Sequence, residues 1–224
     1  MATSARVEGN WQRVDSACAS RTHLYVIEDT ILYRVAPSGE SEPLTNRWRP
    51  RAMTAFGDSL YIFEDDDHLY RAPQATGEPT ALTSGWRTVR AVAATRDAVF
   101  VATGSAIYQL DPDSGEETPL PERWDVKDMV GLGTFLFVFE VDGTLRRLDT
   151  RDGTYATLPG NWPLTLTAAS QDAVYAVDDT VLYRIEPRTG DHERIDNGFL
   201  TTHLVALGAD LYSFERGGLY RVTI

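Results

Sequence analysis

The 224-residue sequence predicts an all-β fold, a six-bladed β-propeller with four antiparallel strands in each blade, and three observations carry that prediction. The first is a recurring phrase: "LYVIEDTILYR" at Leu24 returns as "LYIFEDDDHLYR" at Leu60 and "VYAVDDTVLYR" at Val174. Anchored on its first apolar pair, it has copies at Leu24-Tyr25, Leu60-Tyr61, Val99-Phe100, Leu136-Phe137, Val174-Tyr175 and Leu211-Tyr212, spaced roughly 38 residues apart. The second is a large aromatic ahead of each copy: Trp11, Trp48, Trp86, Trp124, Trp162 and, in the sixth place, Phe199. The third is an imbalance at the ends. The last unit stops at "LYRVTI", one strand short, while "SARVEGN" stands before Trp11, where every other aromatic is preceded by a fourth strand.

Each unit has the same order. The aromatic opens a stretch of small apolar residues such as "RAMTAF" or "RAVAAT", which is strand one, and a turn such as "GDS" or "QDA" follows. Alternating "LYVIE" or "LFVFE" is strand two, a short acidic or glycine-containing turn follows, and "LYRVAP" or "LYRIEP" is strand three. Turns such as "PSGE" and "PDSGE" lead to a short strand four, for example "EPLT" or "YATLP". No unit has a helical period. The chain therefore divides into units 11–47, 48–85, 86–123, 124–161, 162–198 and 199–224 plus 1–10, all in one domain over 1–224. Residues near Ala5 to Gly9 are predicted to pair with the strand around Leu219 to Ile224 and close the ring, removing two open sheet edges.

Composition narrows the function. With 42% hydrophobic and 24% charged residues the chain is expected to bury a substantial core. A formal net charge of -12 argues against phosphate-backbone binding and against anionic membranes. Cys18 is the single cysteine, so no internal disulfide can form. The opening residues lack the apolar core of a signal peptide, and no run reaches the about eighteen apolar residues of a membrane span. The expectation is a cytoplasmic monomer that binds neither nucleic acid nor membrane.

Five of six units end strand two with a carboxylate, at Glu28, Glu64, Glu140, Asp178 and Glu215, with Thr103 in the third unit. Chain direction puts these acids on the same rim as the aromatic crossings and their bases Arg13, Arg47, Arg49, Arg51, Arg87, Arg90, Arg123 and Lys127. Two readings stand. The acids and bases form ion pairs between blades, or they meet a ligand. The tryptophans likewise either wedge neighbouring sheets or stack on sugar faces, and the change to Phe199 fits wedging. Tyr33, Tyr70, Tyr183 and Tyr220 read as packing. "EDDDH", from Glu64 to His68, reads as a solvated turn, and Asp111, Asp113 and Glu122 lack the glycine placement of a calcium loop.

Signatures of catalysis are missing: there is no GxSxG, HExxH or GxxxxGK. His203 aligns in strand one with Ser16, Ala52, Ala91, Asp128 and Leu166, and of the Asn, Asp and Glu mix that a channel site would need only Asp128, with His203, qualifies. Cys18 aligns with Thr54, Ala93, Val130, Ala168 and Val205, a small apolar slot. No cofactor and no metal are expected, and the protein is expected not to be an enzyme.

The unit "WRTVRAVAATRDAVFVATGSAIYQL" and the phrase "VYAVDDTVLYR" resemble the tectonin repeat, and the likeness covers all six units. This chain departs from that pattern in strand two, where Tyr25, Tyr61, Phe100, Phe137, Tyr175 and Tyr212 replace a second tryptophan. The resemblance implies a lectin or pattern-recognition module and hence a glycan ligand. A multivalent carbohydrate-binding propeller is accordingly the first expectation, a protein-interaction platform the second, and a channel-site hydrolase or lactonase the third. The ligand site is expected at Trp48, Arg49, Glu64, Asp65, Trp86 and Arg87, where aromatics, arginines and an acidic turn share one rim.

Overall fold

The chain forms six four-stranded antiparallel sheets in a computed structural model that describes residues 3–7, 9–163 and 166–224. Blade 6 is closed by the first strand, β1 (Thr3–Val7). Blade 1 holds β2 (Val14–Ala19), β3 (Leu24–Glu28), β4 (Ile31–Val35) and β5 (Ser41–Asn46). Blade 2 holds β6 (Pro50–Phe56), β7 (Ser59–Glu64), β8 (His68–Pro73) and β9 (Thr80–Ser84). Blade 3 holds β10 (Val89–Ala94), β11 (Val99–Thr103), β12 (Ala106–Leu110) and β13 (Glu117–Pro119). Blade 4 holds β14 (Val126–Leu132), β15 (Phe135–Glu140), β16 (Leu145–Asp149) and β17 (Tyr155–Leu158). Blade 5 holds β18 (Leu166–Ala169), β19 (Val174–Asp178), β20 (Val181–Ile185) and β21 (His192–Asn197). Blade 6 adds β22 (His203–Leu207), β23 (Asp210–Glu215) and β24 (Gly218–Thr223) to β1. No helix occurs among the described residues, and none is long and apolar enough to cross a membrane.

The ring closes as the end imbalance predicts, with a shift. β1 pairs antiparallel with β24 from Thr3↔Thr223 to Val7↔Leu219, so the closing strand lies two residues earlier than Ala5 to Gly9. Glu8, within the predicted strand, lies outside the described residues. Gly9 follows at φ +109°, a left-handed conformation that suits glycine, and turns the chain toward Trp11. The Trp11 N–H then donates to the Gly217 carbonyl of blade 6 at 3.1 Å.

Each large aromatic sits between two sheets. Trp48 packs with Tyr25, Ile27 and Leu32 of blade 1 and with Met53 and Ala72 of blade 2. Trp86 repeats this between Phe63 and Leu69 of blade 2 and Val99 and Leu110 of blade 3. Trp11 meets Tyr33 of blade 1 edge-on at 5.4 Å and Phe214 of blade 6 at 6.0 Å. Tyr70 and Tyr183 make the equivalent contacts with Trp48 at 5.9 Å and Trp162 at 5.8 Å. These perpendicular contacts match the ring quadrupoles and fill the wedge that two twisted sheets leave open.

Polar latches repeat at the seams. The Tyr25 hydroxyl donates to the Gln74 carbonyl of blade 2, Tyr61 to Pro112 of blade 3, and Tyr212 to Pro37 of blade 1. Phe137 has no hydroxyl, and Arg147 of the same blade reaches Pro187 of blade 5 at 3.0 Å instead. Strand one carries a bulge in blades 1 to 4, which turns Asp15, Arg51, Arg90 and Lys127 out of the ladder. Three of these bulge residues staple the next blade: Arg51 donates to the Arg87 carbonyl, Arg90 to the Val126 carbonyl at 3.4 Å, and Lys127 to the Pro163 carbonyl at 3.2 Å.

Candidate functional site

The recurring acid has a different role from the one its neighbours suggest. Glu28, Glu64, Glu140 and Glu215 each accept a backbone N–H from the residue one or two places after the rim aromatic: Arg13 at 2.8 Å, Arg49 at 2.9 Å, Asp125 at 3.2 Å and Leu200 at 3.1 Å. Each bond stays within one blade. The carboxylates therefore fix the aromatic crossing through its main chain rather than by pairing with arginine side chains across a seam. Glu140 also meets Arg146 of its own blade at 2.9 Å. In blade 3 Thr103 takes the acid's place, and the Arg87 N–H turns to the Gly85 carbonyl instead. In blade 5 the residue after Trp162 is Pro163, which has no N–H to give; Leu164 and Thr165 lie outside the described residues.

The ion pairs between blades come from other acids. Asp67 takes Arg51 at 3.0 Å and Arg87 of the next blade at 3.1 Å, while Asp125 takes Arg90 at 3.0 Å and Asp113 takes Arg71 at 2.8 Å. In "EDDDH", Asp65 and Asp66 are exposed, and the Tyr70 hydroxyl donates to Asp66 at 3.1 Å. Asp111 spends one oxygen on the N–H groups of Asp113 and Ser114 at 3.0 and 2.7 Å, a side-chain-capped turn.

The six expected site residues separate into four groups. Trp48 and Trp86 are enclosed, at 0% and 5% exposure, and their indole N–H groups donate to Thr45 and Thr83 at 2.8 and 3.0 Å. Neither ring has a free face, so sugar stacking on them does not fit this structure; filling the seam uses both sides of the indole. Glu64 is buried beneath Arg49, and burial pushes its carboxyl up to about 7, against the opposing effect of the Arg49 N–H. Arg87 is held to Asp67 at the seam between blades 2 and 3. Arg49 and Asp65 remain. They line, over Trp48, a cleft of about 360 Å³ between blades 1 and 2.

That cleft brings in residues the sequence did not single out as a set. Arg13, Asp15, Asp29 and Thr30 of blade 1 face Arg49, Pro50 and Asp65 of blade 2. Arg13, Asp29, Arg49 and Asp65 are exposed, and none has an ion-pair partner among the described residues. Asp65 N–H donates to the Arg49 carbonyl at 3.0 Å, so these two side chains leave one rigid stretch of rim. A related but smaller cleft of about 230 Å³ lies at blade 4, where Arg123, Asp125, Glu140, Asp142 and Arg146 meet. The rim clefts are thus unlike one another in size and pairing.

The channel, about 280 Å³, is lined mainly by strand-one alanines and other small residues. Asp128 and His203 both reach it, but each is turned to a seam. Asp128 accepts the Thr167 hydroxyl at 2.8 Å and the Met129 N–H at 2.8 Å, and burial raises its carboxyl to about 6. His203 packs edge-on to Phe214 at 6.4 Å, and burial lowers its pKa, opposed by the backbone and charge of Asp15. Cys18 occupies the small apolar slot, buried with Met53 and Trp48, and burial pushes its thiol up. No group of three metal-ligating side chains gathers among the described residues.

No family model matches the sequence, and no curated protein matches it. Solved structures match by shape. A structural-genomics protein of unknown function from Bacteroides thetaiotaomicron aligns over 99% of this chain and 72% of its own, with 10% identity and a TM-score of 0.72. YCF48 bound to D1 peptide aligns over 100% of this chain and 97% of its own, with 11% identity and a TM-score of 0.67. PorZ, a bacterial surface component of the type-IX secretion system of Porphyromonas gingivalis, aligns over 96% of this chain with 11% identity and a TM-score of 0.58. This chain spans only 37% of that protein's length. At these identities the likeness is one of fold, and the fold is the six-bladed β-propeller.

Proposed function

We propose that this propeller is a non-enzymatic binding module that docks a protein partner on its aromatic rim, over the cleft between blades 1 and 2. The observation that carries the reading is the set of exposed, unpaired charges of both signs, Arg13, Asp29, Arg49 and Asp65, held on a rigid rim. Such a set is satisfied by a protein surface offering complementary charges in one footprint. With the indoles enclosed, the cleft lacks the stacking platform that most favours sugars. The peptide in the YCF48 structure supports the reading by analogy of fold alone.

A multivalent carbohydrate-binding propeller is the second reading. It rests on the tectonin resemblance and on Arg49 and Asp65, which place a donor and an acceptor side by side for sugar hydroxyls. A photo-crosslinking residue at position 49, compared with one at exposed position 78, tests the first reading. Partner adducts formed from position 49 and not from 78 support it. Equal adducts from both positions, or none from 49, count against it.

A further inference from the structure

We infer that the rim opposite the aromatic crossings carries a second site, a cleft for a small dicarboxylate at the other mouth of the channel. The cleft measures about 340 Å³, near the lower bound of small-ligand sites at about 300 Å³. Arg21, in the turn between β2 and β3, and Arg96, in the turn between β10 and β11, stand on either side of it. Between them the blade 2 turn is the bare Phe56-Gly57, so the floor is low and apolar, continued by the channel alanines Ala55 and Ala94. Ser20 and Thr95 complete the walls, their hydroxyls bonded to the His23 and Ala98 carbonyls of their own turns.

Charge singles this cleft out. The chain has 33 acids against 21 lysines and arginines, and three other surface clefts each include at least two carboxylates. Here two arginines line the walls and no carboxylate does, among the described residues. Asp58 and Asp97 belong to the adjoining turns but do not line the cleft. Both arginines are exposed, and neither side chain has an ion-pair partner among the described residues. The walls are held firmly, because Gln74 donates to the Gly57 and Ser59 carbonyls at 3.1 and 3.4 Å and the Arg96 N–H donates to Gly133 at 2.6 Å. Two guanidinium groups across an apolar floor match a ligand with a carboxylate at each end and methylenes between, since each fork can take one carboxylate in two parallel bonds.

The test is a titration of the ¹⁵N-labelled full chain with adipate at constant ionic strength, reading the arginine Nε–Hε resonances. Acetate and inorganic phosphate serve as comparisons. Two resonances, assigned by the single variants Arg21→Gln and Arg96→Gln, should shift saturably with adipate, and in each single variant the remaining arginine's resonance should need at least about tenfold more ligand. Both side chains are exposed, so the variants should keep the parent's near-ultraviolet circular dichroism. A uniform drift of all arginines, or an unchanged titration midpoint of the remaining arginine in the two single variants, overturns the site. Equal response to acetate or phosphate at equal charge overturns the dicarboxylate assignment. None of these outcomes depends on the aromatic rim, so this site and the proposed docking cleft stand or fall separately.

Discussion

The Glu64 carboxylate accepts the Arg49 backbone N–H with both of its oxygens, each at 2.9 Å. The bond pins the chain at the point where it leaves Trp48 for β6, and its counterparts at Glu28, Glu140 and Glu215 do the same in three other blades. Glu64→Ala should therefore leave a main-chain donor without its acceptor and cost about 1–3 kcal/mol in a denaturant titration. Arg49→Ala removes only the exposed side chain and should shift the midpoint little. If the two variants lose equal stability, the side chain and not the main chain is the partner that matters.

Trp86 is the wedge between blades 2 and 3, in contact with Phe63 at 5.3 Å and Tyr108 at 6.3 Å. Trp86→Ala should cost roughly 3–5 kcal/mol, as truncation of a large buried aromatic does. Urea unfolding followed by circular dichroism measures it. A midpoint equal to the parent's would mean that the seam does not rely on this ring.

Ring closure rests on five paired residues, Thr3 to Val7, whose side chains are mostly exposed. The closing strand is held largely by its main-chain bonds. Deleting residues 1–10 also removes the lead into Trp11 and leaves β24 as a bare edge, so the shortened chain should melt at lower temperature and associate at high concentration. Light scattering and a thermal melt report both effects. A truncated chain that scatters light and melts like the parent would show that the ring is closed by other contacts.

Two buried carboxyls predict how stability depends on pH. Burial raises Glu64 to about 7 and Asp128 to about 6, so the folded state holds these protons more tightly than the unfolded chain does. Their stabilising contribution is full below the unfolded values near 4 and is lost as pH rises through 6 to 7. The thermal midpoint should accordingly fall between pH 4 and pH 7.5, by roughly ten degrees, since each unit of raised pKa carries about 1.4 kcal/mol and about 1 kcal/mol moves the midpoint of a domain of this size by roughly 2–4 °C. Asp128→Asn, which cannot ionise, should reduce that fall. Identical slopes in parent and variant would remove Asp128 as a contributor.

The blade count, strand order and ring closure were legible because they follow from period and direction. The reach of β1 was displaced by two residues, since "ARVEG" and "TSARV" are equally acceptable edge strands and only the register to β24 separates them. The function of the acids was hidden for a physical reason. Their partner is a backbone N–H, which every residue but proline carries, so the arginine at position 49 drew attention to its side chain. The stapling by Arg51, Arg90 and Lys127 depends on strand-one bulges, and a one-residue slip in an alternating pattern is invisible without the neighbouring strand. Arg21 and Arg96 come from turns written "SRTH" and "TRDA" in blades 1 and 3, and only the curvature of the ring brings them to one cleft.

The rim cleft is most directly tested by exchanging its charges. In a quantitative affinity capture, the parent is compared with Arg13→Glu/Arg49→Glu, both checked for equal melting temperature, and a glycan array is run beside it. The account predicts that a defined protein partner is retained by the parent and reduced about tenfold or more by the double variant, since unpaired interfacial charges steer and hold a complementary surface. Capture of the same partner equally by both proteins would contradict docking at this cleft. Array binding that disappears with Arg49→Ala would contradict the protein-docking reading and establish the carbohydrate one.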